Sequence, residues 1–218
     1  MAKLTQPIPF AGAELTRARH VCAFFNSEDE EYRVLLPFIR DGFDCGHKAV
    51  HVLSLDRRER HVDHLAAVGI DTAAAQDSGQ LELRDSTETY LSHGRFDQDR
   101  MLQTFKSIAG GSADGRYPLS RIVCQMEWAN GHPSCIHDLI EFEARVNDVW
   151  CQHDDAVICV YDLAKFSGDT VMDVIRTHPM IIVGGILQQN PFFVPPQEFL
   201  QVLYQRRAEH ARHSSTAG

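Results

Sequence analysis

Six short runs, mostly apolar and each followed by a polar stretch or turn, constrain this chain more than any other feature. They are HVCAFF (20–25), KAVHVLSL (48–55), LELRD (81–85), RIVCQMEW (121–128), AVICVYD (156–162) and MIIVGG (180–185). Most of them lack the strict apolar–polar alternation of a strand with one face in water, so they read as strands buried on both sides. Helical patterns fill the intervals between most of them. Strands separated by helices predict a three-layer α/β domain, with a mostly parallel central sheet covered on both faces.

The intervening helices carry their own signals. Ser27 and Glu30 form an S-x-x-E capping box that opens a helix with Tyr32, Leu35, Leu36, Ile39 and Phe43 on its apolar face. Pro37 inside it predicts a kink, and Gly42 and Gly46 its end. A second helix, 56–69, turns Leu65 and Val68 inward and leaves His61 and His64 on a solvated side. Asp97 caps a third helix, 136–150 reads as one continuous helix, and the last helix spans 197–209. Residues 1–16, with two prolines, read as a loose arm and 210–218 as a flexible tail. A single domain over 17–209 remains, consistent with a chain of 218 residues.

Composition excludes several function classes. Twenty-one Lys and Arg against thirty Asp and Glu give a net charge of −9, the wrong sign for a sequence-independent grip on nucleic acid or for docking on anionic lipid. No apolar run approaches the ~18 residues of a membrane span, and the N-terminus lacks a signal-peptide core. A cytoplasmic protein is expected, with its six cysteines as reduced thiols.

In open parallel sheets, ligands bind beyond the carboxyl ends of the strands. Four such exits stand out: Asn26–Glu30, Ser54–Asp56, Glu127–Asn130 and Tyr161–Asp162. The first, NSEDEE, has four acids at a helix N-terminus and neither the glycines nor the lysine of a phosphate cradle. The expected ligand-binding residues are therefore Asn26, Glu28, Glu127, Trp128, Tyr161 and Asp162, with His178 as a further polar anchor. Trp128 would supply apolar wall to a small cavity. The alternative for this exit is that Trp128 packs over the sheet end while Glu127 pairs with an arginine.

No catalytic residues are expected, since no G-x-S-x-G elbow and no cysteine with an evident histidine partner occur. No cofactor is expected. The two C-x-H pairs at 135–137 and 151–153 sit at opposite ends of one predicted helix, roughly 20 Å apart, which is too far for one ion. Cys22 beside His20 reads as a buried thiol next to a core histidine.

The order RHVCAFFNSEDEEYRVLLPFIRDGFDCGHKAVHVL, GQLELRD, RIVCQMEWA and VICVYDLAKFSGDTVMDVIRTHPMIIVGG, followed by NPFFVPP, resembles the MEDS sensory domain family over about residues 17–200. The resemblance implies a degenerate RecA/KaiC-like fold, with strand 20–25 and its helix at the phosphate-loop position and RIVCQMEW at the Walker B position. It implies a sensor of small apolar organic molecules, hydrocarbon derivatives among them, and the lack of an intact Walker A, catalytic triad or metal motif predicts that it is not an enzyme. Output would pass to a separate signalling protein, such as a histidine kinase or an anti-sigma-type regulator, or through homo-oligomerisation. The rival readings are a remnant nucleotide-binding ATPase and a ligand-free interaction module.

Overall fold

The computed structural model describes residues 6–92, 94–111, 115–131 and 133–216. Its central sheet uses β3 (His20–Phe25), β4 (Lys48–Leu53), β5 (Leu81–Asp85), β8 (Ser120–Gln125), β9 (Ala156–Asp162), β10 (Met180–Val183) and β11 (Ile186–Gln189), in the order β11-β10-β3-β9-β8-β4-β5. All neighbours are parallel except β10 and β11, which form a hairpin. The six predicted strands are all present, and the seventh follows from two adjacent glycines. Gly184 and Gly185 both take positive φ, 59° and 74°, which a two-residue hairpin turn of the twisted type requires.

Alternation along β3 shows how the layers form. Val21, Ala23 and Phe25 face one core, with α1 (Glu28–Asp44), α2 (Arg58–Ala67) and α3 (Thr72–Asp77). Cys22 and Phe24 face the other, under α4 (Ser86–Tyr90), α5 (Gln98–Ile108), α6 (Pro133–Arg145), α7 (Asn147–Trp150), α8 (Gly168–Thr177) and α9 (Pro196–Thr216). A small hairpin, β6 (Leu91–Ser92) with β7 (Arg95–Phe96), leads into α5.

Several local expectations are corrected. Residues 8–15 are not a loose arm. They form an antiparallel hairpin, β1 (Ile8–Phe10) with β2 (Ala13–Leu15), that buries Ile8, Phe10 and Leu15 against the α1 face. The run was too short to carry a strand pattern, and tertiary packing orders it. The helix α1 runs unbroken through Pro37; this proline is exposed, so the carbonyl it leaves unpaired can be solvated. Gly42 does not end that helix. A Cβ there would lie 2.8 Å from Arg121 Cδ, so the glycine admits a buried guanidinium that donates to Phe38 O at 2.6 Å. The expected helix 136–150 is two helices broken at Val146, and the last helix extends to Thr216.

No helix among the described residues is long and apolar enough to cross a membrane.

A charged cleft at the carboxyl edge of the sheet

The carboxyl ends of β4, β8, β9 and β3 lie side by side, and the segments leaving them diverge. The helix α1 crosses one face on its way to β4, while α8 crosses the other on its way to β10. Diverging connections leave a crevice above the strand ends. Here it is a cleft of about 100 Å³, lined by residues of all four exits, including Ser27, Glu28, Asp56, Arg57, Glu127 and Asp162.

The start of α1 is held as the capping signal predicts. Ser27 Oγ accepts from Glu30 N at 3.2 Å, and Glu30 Oε2 accepts from Asn26 N at 2.9 Å and from its Nδ2 at 3.2 Å. That fixed entry angle sends Glu28 and Glu31 toward the cleft and keeps Glu30 out of it.

Arg57 is the hub. Its side chain is 9% exposed; Nη2 donates to Glu31 Oε2 at 2.9 Å and Nη1 to Glu127 Oε1 at 3.3 Å. Gln125 Nε2 donates to the other Glu31 oxygen, and Lys165 pairs with Glu127. Burial pushes the Glu31 carboxyl up, and the Arg57 charge and hydrogen bond partly offset it. Five acids (Glu28, Glu31, Asp56, Glu127, Asp162) and three bases (Arg57, Arg60, Lys165) line the cleft, a net charge of −2. Among the described residues Glu28 Oε1 is buried without a hydrogen-bond partner, and its second oxygen lies 3.6 Å from Arg60.

The seven expected residues divide. Glu28, Glu127 and Asp162 line the cleft. Asn26 stands beside it as part of the cap. Trp128 lies elsewhere: it keeps the alternation of Ile122, Cys124 and Met126 and packs with them in the core under α4 to α9, although β8 itself ends at Gln125. There it stacks on Tyr90 at 4.4 Å and meets Phe96 at 4.7 Å. The packing alternative therefore describes this exit: the tryptophan fills core and Glu127 pairs with an arginine. Tyr161 points into the same core, and its hydroxyl donates to Glu143 Oε1 at 2.8 Å. His178 is fully buried at the start of β10, away from the strand exits.

Sequence reasoning missed Glu31, Arg60 and Lys165. Glu31 was legible as the residue one helical turn past Ser27, but its burial depends on an arginine 26 residues away. His61 was misplaced. It is buried rather than solvated, with Nδ1 2.8 Å from Tyr32 Oη and Nε2 2.8 Å from His51 Nδ1. His51 is a buried polar residue inside a strand, and it draws the helix histidine inward.

A second constellation sits under α6 and α8. His20, Glu143, Cys159 and His178 bring one potential donor atom each to within 4.8 Å of one another, all of them buried. Burial drives the His20 ring down, with His178 next to it adding to that and Glu143 opposing it. It drives the Cys159 thiol up, as does the nearby Glu143. The C-x-H pairs at 135–137 and 151–153 play no part in it.

A comparison with curated proteins found no match. A comparison with family models matched the MEthanogen/methylotroph, DcmR Sensory domain (MEDS) over residues 19–179, which contains every cleft residue named above and all four members of the buried constellation. With nearly three-quarters of its length inside that match, the chain belongs to the MEDS family of sensory domains.

Proposed function

We propose that this sensory domain is non-enzymatic and binds a small organic molecule in the cleft at the carboxyl edge of its sheet. The observation that carries the reading is the buried Oε1 of Glu28, unpartnered among the described residues, at the rim of a cleft shared by four strand exits. A buried acceptor without a partner costs about 1–3 kcal/mol, and a ligand that donates a hydrogen bond removes that cost. The volume equals about three waters at ~30 Å³ each, so the ligand is a molecule of a few heavy atoms. The lining is polar and net negative, which argues for a hydrocarbon derivative bearing a hydroxyl or amine rather than the wholly apolar compound the family resemblance implies.

The same charge speaks against the nucleotide reading. The β3–α1 connection is two residues long, and its helix opens on Glu28, Asp29, Glu30 and Glu31. These acids occupy the end of the helix dipole that a phosphate would use. A degenerate phosphate loop is the evolutionary reading we attach to this junction.

Output passes to a separate protein, a histidine kinase or an anti-sigma-type regulator, or to a second copy of the chain. The exposed apolar side chains of Val183 and Ile186 on the β10–β11 hairpin, and of Phe192 beyond it, offer such a partner a surface.

Thermal-shift titration with short alcohols, amines and haloalkanes tests the site. Alcohols or amines should raise the Tm of the native chain, and Glu28→Gln should reduce that shift while leaving the unliganded Tm within a few degrees. A shift that haloalkanes alone produce would refute the polar reading. A shift indifferent to Glu28→Gln would refute the site.

A further inference from the structure

The four side chains under α6 and α8 present a problem of hydrogen-bond accounting. Asn147 Nδ2 lies within hydrogen-bond distance of three carbonyls, Glu143 O at 2.8 Å, Ala144 O at 3.2 Å and Thr177 O at 2.8 Å. The orientation of its amide is thereby fixed, and its Oδ1 can only accept. His20 Nδ1, 3.1 Å from that oxygen, must carry the proton. His178 Nδ1 lies 2.9 Å from Val174 O, again an obligate acceptor, so it carries the proton of that ring.

In both neutral imidazoles the remaining nitrogen, Nε2, therefore presents a lone pair. Each Nε2 lies 3.3 Å from the same carboxylate oxygen, Glu143 Oε2, which is an acceptor too. Cys159 Sγ completes the set, 3.5 Å from His20 Nε2 and 3.8 Å from Glu143 Oε2. Its single proton can satisfy one of these contacts, and among the described residues His178 Nε2 has no hydrogen-bond partner. Lone pairs converging in a fully buried space favour a cation between them. Two imidazoliums beside one carboxylate would leave an uncompensated buried charge, which is expensive, and a single imidazolium, though neutral with Glu143, would leave the other Nε2 lone pair facing the carboxylate oxygen at 3.3 Å. One divalent ion with two neutral imidazoles, a carboxylate and a thiolate is neutral.

Four of the six donor–donor spacings also lie near those of a tetrahedral site: zinc–nitrogen and zinc–oxygen bonds near ~2.1 Å and zinc–sulfur near ~2.3 Å imply edges of roughly 3.3–3.6 Å, against 3.3, 3.3, 3.5 and 3.8 Å, and the remaining two, from His178 Nε2 to His20 Nε2 and to Cys159 Sγ, lie within 4.8 Å and close on binding. The outer partners are those that orient metal ligands. Asn147 and Val174 O hold the two ring N–H groups, and Tyr161 Oη donates to the second oxygen of Glu143 at 2.8 Å.

We propose that His20, Glu143, Cys159 and His178 form a closed, four-ligand site for a borderline divalent transition ion, zinc foremost. Soft thiolate with two imidazoles and one carboxylate selects against magnesium and calcium. Four protein ligands leave no open position, so the ion is structural. It fastens β3, β9, α6 and the α8–β10 junction together across the core. Binding displaces the Cys159 thiol proton to solvent as the sulfur–metal bond forms. Because the site is sealed, loading occurs during folding or through local opening of the helical layer.

Elemental analysis of the full chain produced in zinc-supplemented medium, and cobalt absorption spectroscopy after refolding with Co²⁺, test this. Expected are about one equivalent of zinc per chain and the charge-transfer bands of a tetrahedral cobalt–thiolate site. Cys159→Ser, close in size, should abolish those bands and lower affinity at least tenfold, as should His178→Gln. The control Cys45→Ser/Cys151→Ser removes two exposed thiols and should retain both signals. Should His178→Gln fail to fold, Cys159→Ser decides alone. Metal below a tenth of an equivalent in both preparations, or full metal content in Cys159→Ser, would overturn the assignment.

Discussion

Removing Arg57 tests the electrostatic account of the cleft directly. Its guanidinium is nearly sealed and lies 2.9 Å from Glu31 Oε2. At an effective dielectric of about 20, a pair at that separation attracts by about 6 kcal/mol, from which the cost of desolvating both ions is subtracted. Breaking a buried pair by deleting one partner usually costs about 3–5 kcal/mol, because the other charge stays behind unpaired. Arg57→Met keeps the apolar stem and leaves Glu31 with the Gln125 amide. Urea unfolding at neutral pH should show a loss of about 3–5 kcal/mol, and calorimetry a Tm lower by roughly 6–20 °C for a domain of this size.

The loss should also depend on pH in a defined direction. Burial already raises the Glu31 carboxyl above its ordinary value while Arg57 opposes it, so deleting Arg57 raises it further. A group whose folded pKa exceeds its unfolded pKa binds more protons when folded. The stability tied to it is complete below the unfolded value and drains away as pH rises through the folded one. The Arg57→Met penalty should therefore be largest at neutral pH and shrink on acidification, as Glu31 takes up a proton. Glu31→Gln added to Arg57→Met should restore much of the loss, since a neutral amide replaces a stranded carboxylate. Native-like stability in Arg57→Met, or a penalty that grows as pH falls, would refute the reasoning.

Two further outcomes follow from the same geometry. Trp128→Ala should cost about 3–5 kcal/mol in urea, because it opens a cavity beside Tyr90 and Phe96, while ligand affinity at the cleft stays unchanged; selective loss of binding with full stability would return the indole to the ligand wall. His61 is pushed down to about 4, by burial first and then by Arg57 and His64. The unfolded chain therefore takes up that proton first, and stability should fall as pH drops from about 6.5 toward 4, by about 3 kcal/mol from this ring. His61→Gln should make the urea-midpoint profile less steep over that window, and an unchanged slope would argue against the buried assignment.

The lining of the cleft was partly legible before the fold was known. Strand-exit reasoning reached Glu28, Glu127 and Asp162, because the carboxyl ends of parallel strands are a topological property and topology follows from the pattern. It did not place Trp128, whose indole follows the alternation of Ile122, Cys124 and Met126 into the core, a face that position at a strand exit alone does not specify. It failed at His178 too, since a histidine before an apolar strand gives no sign of which neighbours will close around it. The buried constellation was invisible for the same reason. Its members lie at positions 20, 143, 159 and 178, with no ligand spacing among them, and only the packing of α6 over β3 and β9 brings them together.

The amino-acid order alone dictated the layer architecture, the positions of the six principal strands and the cap that opens α1. Those depend on local periodicity and on short-range hydrogen bonds, which adjacent residues encode. What fills each core, which acid meets which cation and where lone pairs converge were decided by the tertiary structure. Such contacts join residues distant in the chain, and their strength comes from the exclusion of water that packing alone produces.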